Sequence, residues 1–110
     1  MKKQVLNEAF ELLLANRLVK NESEFSTYWL GKSESYLRSV RFKRVQPSVS
    51  AVAVCASKLQ YYGNLFHALD DHKPLADRFL KLSNKCHKYV NERVGKRAKA
   101  AKSVAVYALT

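Results

Sequence analysis

Positive charge is concentrated at the centre of the chain and again near its end. Residues 32–44 contain five basic side chains and one acidic side chain, Glu34. A second basic run consists of Arg93, Lys96, Arg97, Lys99 and Lys102. Closely spaced lysines and arginines are typical of surfaces that bind polyanions, either nucleic-acid phosphates or anionic membranes. The alternative is a solvated surface that only keeps the protein soluble.

The charge of the whole chain points the same way. Its 110 residues carry 20 Lys and Arg against 9 Asp and Glu, a formal net charge of +11. Residues 1–30 have no net charge, residues 31–72 carry +3 and residues 73–110 carry +8. An anion-binding surface is therefore expected from the middle and the C-terminal third. Hydrophobic residues make up 47% of the chain, enough for one small domain with a core.

Side chains that support catalysis or metal binding form no recognisable pattern. Cys55 and Cys86 lie 31 positions apart, and with the 3 histidines they match no standard zinc spacing. Both lie on apolar stripes, where a thiol packs as a small hydrophobe. Asp70, Asp71 and His72 are typical of a helix start rather than of an acid–base site. Because no glycine-rich phosphate loop or nucleophile elbow is present, we expect no enzyme activity and no cofactor.

Apolar residues recur at helical spacing along most of the chain, which predicts an all-α fold of about five helices. The first helix should span residues 4–19. The second should span residues 21–31, from an asparagine N-cap with a glutamate three residues later to a terminal glycine. The third should begin at Ser33 and end before Pro47, because the residue preceding a proline avoids helical geometry.

The fourth helix should begin at the N-cap Ser48 and end at about Tyr62, before a turn at Gly63 and Asn64. After a short apolar turn, a fifth helix should run from Pro74 to about Val94. Its apolar residues are spaced 4, 3, 4 and 3 apart, at Leu75, Phe79, Leu82, Cys86 and Tyr89. This seam covers about two heptads, fewer than a coiled coil needs, so it favours packing on the chain's own core.

The order of a short helix, a glycine turn, a second short helix, a basic loop, Pro-Ser and a small-residue helix resembles the Cro/repressor-like (Xre-type) helix-turn-helix family of small bacterial or phage regulators. The matching residues are Phe25, Ser26, Trp29, Leu30, Gly31, Ser33, Ser35, Leu37, Val40, Pro47, Ser48, Ala53, Ala56 and Leu59. They cover about residues 20–60. The Trp-Leu-Gly and Ser-x-Ser-Tyr residues also resemble a small bacterial family whose activity is not known.

In the helix-turn-helix family the first helix braces across the DNA backbone and the second enters the major groove. The resemblance therefore implies sequence-specific binding of double-stranded DNA and regulation of transcription. It assigns base reading to Glu34, Ser35, Arg38 and Ser39. It assigns phosphate contacts to Lys32, Ser33, Tyr36, Arg41, Lys43 and Arg44. Leu37 and Val40 must be buried to hold this helix, and the second basic run would add phosphate contacts.

Two positions depart from the family pattern. Glu22 replaces the glutamine that usually meets a phosphate at the start of the bracing helix. Measured from Phe25, Gly31 comes one residue late, so either the turn is longer or Ser26 occupies a position that is normally aliphatic. A protein–protein module on the same scaffold, an adaptor or antiactivator, is the alternative function, and it is favoured by Glu22 and Glu34.

We divide the chain into a helix-turn-helix core, residues 1–69, and a C-terminal basic helix and tail, residues 70–110, which is either part of the same domain or a dimerisation extension. Two half-sites are read best by a two-fold dimer, so we expect a homodimer that forms through the fifth helix or the tail at residues 103–110. We expect no small-molecule substrate and no membrane partner. Without a signal peptide or a run of ~18 apolar residues, the sequence favours a cytoplasmic protein.

Overall fold

Five α-helices and one π-helical segment make up the computed structural model, which describes residues 4–69 and 72–100, with side chains up to residue 95. No β-strand occurs within these residues, so the predicted all-α fold is confirmed. The helices are α1 (Val5–Ala15), α2 (Glu22–Glu24), α3 (Tyr36–Lys43), α4 (Val49–His67) and α5 (Lys73–Ala100). The π-helical segment (Phe25–Trp29) continues α2 without a break.

The first helix ends at Ala15, earlier than the apolar periodicity predicts. Arg17 adopts a left-handed backbone with φ of 58°, which interrupts a right-handed helix. The Leu18 N–H then donates to the Leu13 carbonyl oxygen at 2.8 Å, which satisfies a carbonyl left over at the helix end. Val19 follows and is buried in the core.

Helices α4 and α5 pack along each other as an antiparallel pair. Gly63 lies against Phe79, and about two turns earlier in α4 the Ala56 carbonyl accepts a hydrogen bond from Ser83 Oγ at 2.8 Å. Residue numbers along α4 therefore fall as those along α5 rise. The start of α4 agrees with the sequence, since Ser48 Oγ accepts from the Ala51 N–H at 3.2 Å.

The apolar seam of α5 belongs to the same core as the other helices. Phe79, Leu82 and Cys86 are buried in one cluster that also contains Leu6, Leu13, Phe25, Leu37, Val52 and Leu59. The seam thus packs on the chain's own core, as its short length predicts. Cys55 and Cys86 are both fully buried, and a hydrogen bond with Cys86 together with burial raises the pKa of the Cys55 thiol. A buried, protonated thiol acts as a packing group.

Gly63 and Asn64 do not form the predicted turn, because α4 continues through them to His67. Gly63 is buried against α5, where a Cβ atom would lie 2.8 Å from Leu80 Cδ2 and 3.3 Å from Phe79 Cβ. The glycine is therefore explained by close helix packing and not by a left-handed turn. The contact joins Gly63 to Phe79, 16 residues later in the chain, so the residues next to Gly63 do not reveal it.

Replacing Gly63 with alanine should lower the free energy of unfolding by about 1 kcal/mol. Overpacking costs about 1–3 kcal/mol, which outweighs the ~1 kcal/mol that alanine gains over glycine in a helix. Gly95→Ala is the matched control, because a Cβ atom at position 95 meets nothing within 4 Å and should stabilise α5. Urea unfolding followed by circular dichroism measures both variants. Equal stabilisation by the two alanines would contradict the close packing.

Candidate nucleic-acid interface

The helix formed by α2 and the π-helical segment begins where the sequence predicts and ends just before Gly31. Asn21 Oδ1 accepts a hydrogen bond from the Glu24 N–H at 2.9 Å and so caps α2. The helix is followed by Gly31, which has a left-handed φ of 64°. Glycine adopts this conformation without strain. The Lys32 N–H donates back to the Ser26 carbonyl oxygen at 3.0 Å across this turn. Both ends are thus set by local interactions.

A π-helical segment precedes Gly31, in the stretch where the chain has one residue more than the family that it resembles. A π-helical turn bonds residues five apart and therefore holds one residue more than an α-helical turn. The extra residue is taken up between Phe25 and Trp29, so the glycine turn keeps its place after the helix. Ser26 is fully buried in this segment, and its Oγ accepts a hydrogen bond from the Leu37 N–H at 3.2 Å. A hydroxyl at this normally aliphatic position thereby joins the first helix to α3.

The second helix starts later than predicted. α3 begins at Tyr36, while residues 33–35 form a turn in which the Tyr36 N–H donates to the Ser33 carbonyl oxygen at 3.1 Å. Ser35 stands at the N-cap position, but its side chain makes no capping hydrogen bond. The prediction that the helix begins at Ser33 is therefore wrong, and Glu34 and Ser35 lie before the helix as exposed turn residues. Of the four predicted base-reading residues, α3 itself carries two, Arg38 and half-buried Ser39.

Leu37 and Val40 are buried on the inner face of α3, as the resemblance to the helix-turn-helix family predicts. Arg38 is exposed on another face and has no ion pair or hydrogen bond among the described residues. One helical turn after Arg38, on the same face, Phe42 is 88% exposed. Phe42 is not among the site residues predicted from the sequence, all of which are polar. A helical projection that places residue 42 opposite Leu37 and Val40 would have found it.

Tyr36 and Lys32, both predicted to contact phosphate, hold the start of α4 in the structure. Tyr36 Oη accepts from the Ser48 N–H at 2.8 Å and donates to Ser48 Oγ at 3.2 Å. Lys32 Nζ donates to Ser50 Oγ at 2.9 Å and lies 5.9 Å from the centre of the Tyr36 ring. The half-buried Tyr36 is therefore a positioning residue that fixes α3 relative to α4.

Arg41 forms an ion pair with Glu22, which joins α3 to the first turn of α2. A hydrogen bond from the guanidinium to the Glu22 carboxylate raises the pKa of Arg41. Arg41, predicted to contact phosphate, is thus already paired within the protein. Equally, Glu22 is not an isolated anion that would repel a phosphate. Lys43 and Arg44 are exposed and have no polar partner among the residues described.

One residue of the second basic run, Arg93, lies near the loop that follows α3. Tyr89 Oη donates to the Pro47 carbonyl oxygen at 2.6 Å, and Arg93 Nη1 donates to Tyr89 Oη at 3.0 Å. Burial raises the pKa of Tyr89, so its hydroxyl keeps the proton that it donates. Helix α5 continues beyond Arg93 through the positions of Lys96, Arg97 and Lys99, whose side chains lie outside the described residues, as do Lys102 and the whole 103–110 tail. Tyr89 therefore links Arg93, on α5, to the loop that follows α3.

An apolar groove of about 310 Å³ lies elsewhere on the surface. It is lined by Leu18, Glu24, Tyr28, Trp29, Tyr62, Leu65, Phe66 and Phe79. The lining includes one carboxylate and no basic side chain, although the chain as a whole carries a net charge of +11. Exposed aromatic and aliphatic residues at such a groove are typical of a protein–protein contact.

These features define an all-α protein whose second and third helices are joined by a tight glycine turn, with an exposed cationic face on the third helix. The chain belongs to DUF6626, a family of unknown function that matches residues 6–102. No curated protein and no solved structure was found to match the chain. Among residues 4–69 and 72–100, no helix is long and apolar enough to cross a membrane, and no three His, Cys, Asp or Glu side chains are grouped to hold a metal ion.

Arg44 ends α3 in a left-handed conformation with φ of 54°, and Arg17 does the same after α1 with φ of 58°. Glycine adopts this geometry without the Cβ clash, so Arg44→Gly and Arg17→Gly should each raise the free energy of unfolding by about 0.5–1 kcal/mol. Arg38→Gly, inside α3, should instead lower it by about 1 kcal/mol. Chemical denaturation measures all three variants. A loss of stability in Arg44→Gly would show that the side chain contributes more than the backbone strain costs.

Proposed function

We propose that this protein binds double-stranded DNA with sequence specificity and regulates transcription, with α3 in the major groove. The observation that carries the proposal is the division of α3 into two faces. Leu37 and Val40 are buried and hold the helix, while Arg38 is exposed and unpaired on another face. An exposed helix with a free arginine fits the wide major groove, where arginine bonds to guanine O6 and N7.

The electrostatics of this end of the molecule support the proposal. Lys43 and Arg44 extend the cationic surface beyond α3, and Arg93 adds a cation from α5 through the Tyr89–Pro47 hydrogen bond. Cations placed beside a recognition helix can contact the phosphates on either side of the groove. We expect these residues to contribute affinity, and Arg38 to contribute specificity.

The alternative function, a protein-docking module that does not read DNA, has lost part of its support. Glu22 favoured it as an anion at the phosphate-binding position, but Glu22 is neutralised by Arg41. Glu34 remains exposed in the turn before α3. A DNA-binding regulator needs no catalytic step and no cofactor, and it works where the chromosome lies. We therefore propose a cytoplasmic location, as for the bacterial regulators that the sequence resembles.

Selection from random double-stranded DNA with the purified protein should enrich a defined motif. Arg38→Ala should lose preference at one base pair of that motif, a discrimination worth about 1–3 kcal/mol. Arg78→Ala is the matched control, because Arg78 is an exposed arginine on α5 whose replacement removes the same charge. A motif unchanged in the Arg38→Ala selection would contradict the placement of α3, and no motif at all would contradict the proposed function.

Phosphate contacts should make the affinity for DNA fall steeply with salt. Arg44→Gly should weaken binding to all sequences. The slope of log affinity against log salt should become shallower by about one, because one phosphate contact is removed. Arg17→Gly makes the same substitution in the same backbone geometry after α1 and should bind as the unchanged protein. Fluorescence anisotropy at several salt concentrations measures these slopes. Affinity that does not respond to salt would favour the docking module.

We also propose that the protein is a homodimer, formed by packing of the apolar groove against a second copy. The fifth helix is one of the predicted dimer surfaces, but its apolar seam is buried in the chain's own core, as expected for that seam. No basic side chain lines the groove, so two copies of this cationic chain should repel each other less there than at α3. Light scattering should show a dimer at high micromolar concentration, and Leu65→Glu should convert it to a monomer. Val94→Glu, at an exposed position outside the groove, should remain dimeric. A monomeric unchanged protein would overturn this proposal.

A further inference from the structure

We propose that Phe42 contacts the 5-methyl group of a thymine, so that the DNA site contains a thymine close to the guanine bound by Arg38. This inference rests on the proposed function and adds a second, apolar element to its specificity. Nothing in the sequence pattern assigns a role to Phe42.

The exposure of Phe42 has no structural explanation. The ring is 88% exposed, and it makes no ring contact among the described residues. It lies on the face of α3 opposite the two residues that bury the helix. Leaving an aromatic ring of this size in water gains the folded chain nothing, since the hydrophobic gain comes only from burial. A bound partner that covers the ring accounts for its position.

The charges around Phe42 indicate which partner that is. Arg38 lies one turn before it on the same face, and Lys43 and Arg44 follow it directly. A second copy of this cationic chain would be repelled here, in contrast to the groove without basic side chains. A surface that combines phosphate with small apolar groups suits both the ring and the cations. In the major groove of DNA, the thymine methyl is that apolar group, and phenylalanine is a side chain that contacts it.

The spacing sets where the thymine should be found. Arg38 and Phe42 are four residues apart, so their side chains lie on one face about 6 Å apart along the axis. Base pairs are stacked about 3.4 Å apart. A helix that follows the groove therefore places Phe42 one or two base pairs from the guanine that Arg38 contacts. The selected motif should contain both bases at this separation.

The test replaces thymine by deoxyuridine, which pairs in the same way and lacks only the methyl group. The probe is the duplex enriched by the unchanged protein, with dT replaced by dU at one position at a time. At one position, one or two base pairs from the guanine, the unchanged protein should bind dU about four-fold more weakly, the effect of one buried methyl group. Phe42→Ala should bind the dT and dU duplexes equally, and Phe42→Leu should keep part of the difference.

Two controls separate the possible causes. Tyr61→Ala removes another exposed aromatic ring, about 18 Å along α4 from the loop after α3, and it should keep the full preference for dT. Thermal unfolding should be unchanged in Phe42→Ala, because the ring is exposed. A selected motif that tolerates dU at every position would overturn the assignment of Phe42 and leave DNA binding intact. A protein that selects no motif would overturn the proposed function, and this inference with it.

Discussion

The antiparallel packing of α4 on α5 supports every other part of the structure. It depends on close approach of the two helices, which Gly63 allows because a Cβ atom there would lie 2.8 Å from Leu80 Cδ2. Buried Ser83 bonds to the α4 backbone, and Cys55 and Cys86 share a hydrogen bond in the same core. The short helices at the N-terminal side bury their apolar faces on this pair. Without it, helices of three to eleven residues would have too few contacts to persist.

The position of α3 is determined by hydrogen bonds as much as by apolar burial. Leu37 fills the core, while its N–H is satisfied by the buried hydroxyl of Ser26 and the adjacent Tyr36 hydroxyl bonds to Ser48. A buried N–H without a partner would cost about 1–3 kcal/mol, so these bonds select one orientation of the helix. Arg38 and Phe42, on the outer face of α3, take no part in this packing. Arg38 and Phe42 can therefore be explained by binding and not by folding.

The apolar groove and the cationic residues of α3 are different parts of the surface, and we interpret the two as separate contacts. Lys43 and Arg44 lie at the end of α3, and Arg93 is linked to the next loop where Tyr89 bonds to Pro47. The groove beside Tyr62 is lined by no basic side chain. A dimer formed at the groove would leave the cationic ends available for DNA. The ion pair of Glu22 and Arg41 joins α2 to α3. It thereby neutralises a carboxylate beside the cationic residues of α3.

The sequence by itself determined the all-α fold, the N-caps Asn21 and Ser48 and the glycine stop at residue 31, because each depends on residues within one or two helical turns. It also indicated which side of α3 is buried. Tertiary structure alone decided that Gly63 is a packing position, that a π-helical turn takes up one residue before Gly31, and that Arg41 is paired while Phe42 is exposed. Each of these depends on groups brought together from distant parts of the chain or on how an element is seated in the core. A local pattern of residue types holds no information about such contacts.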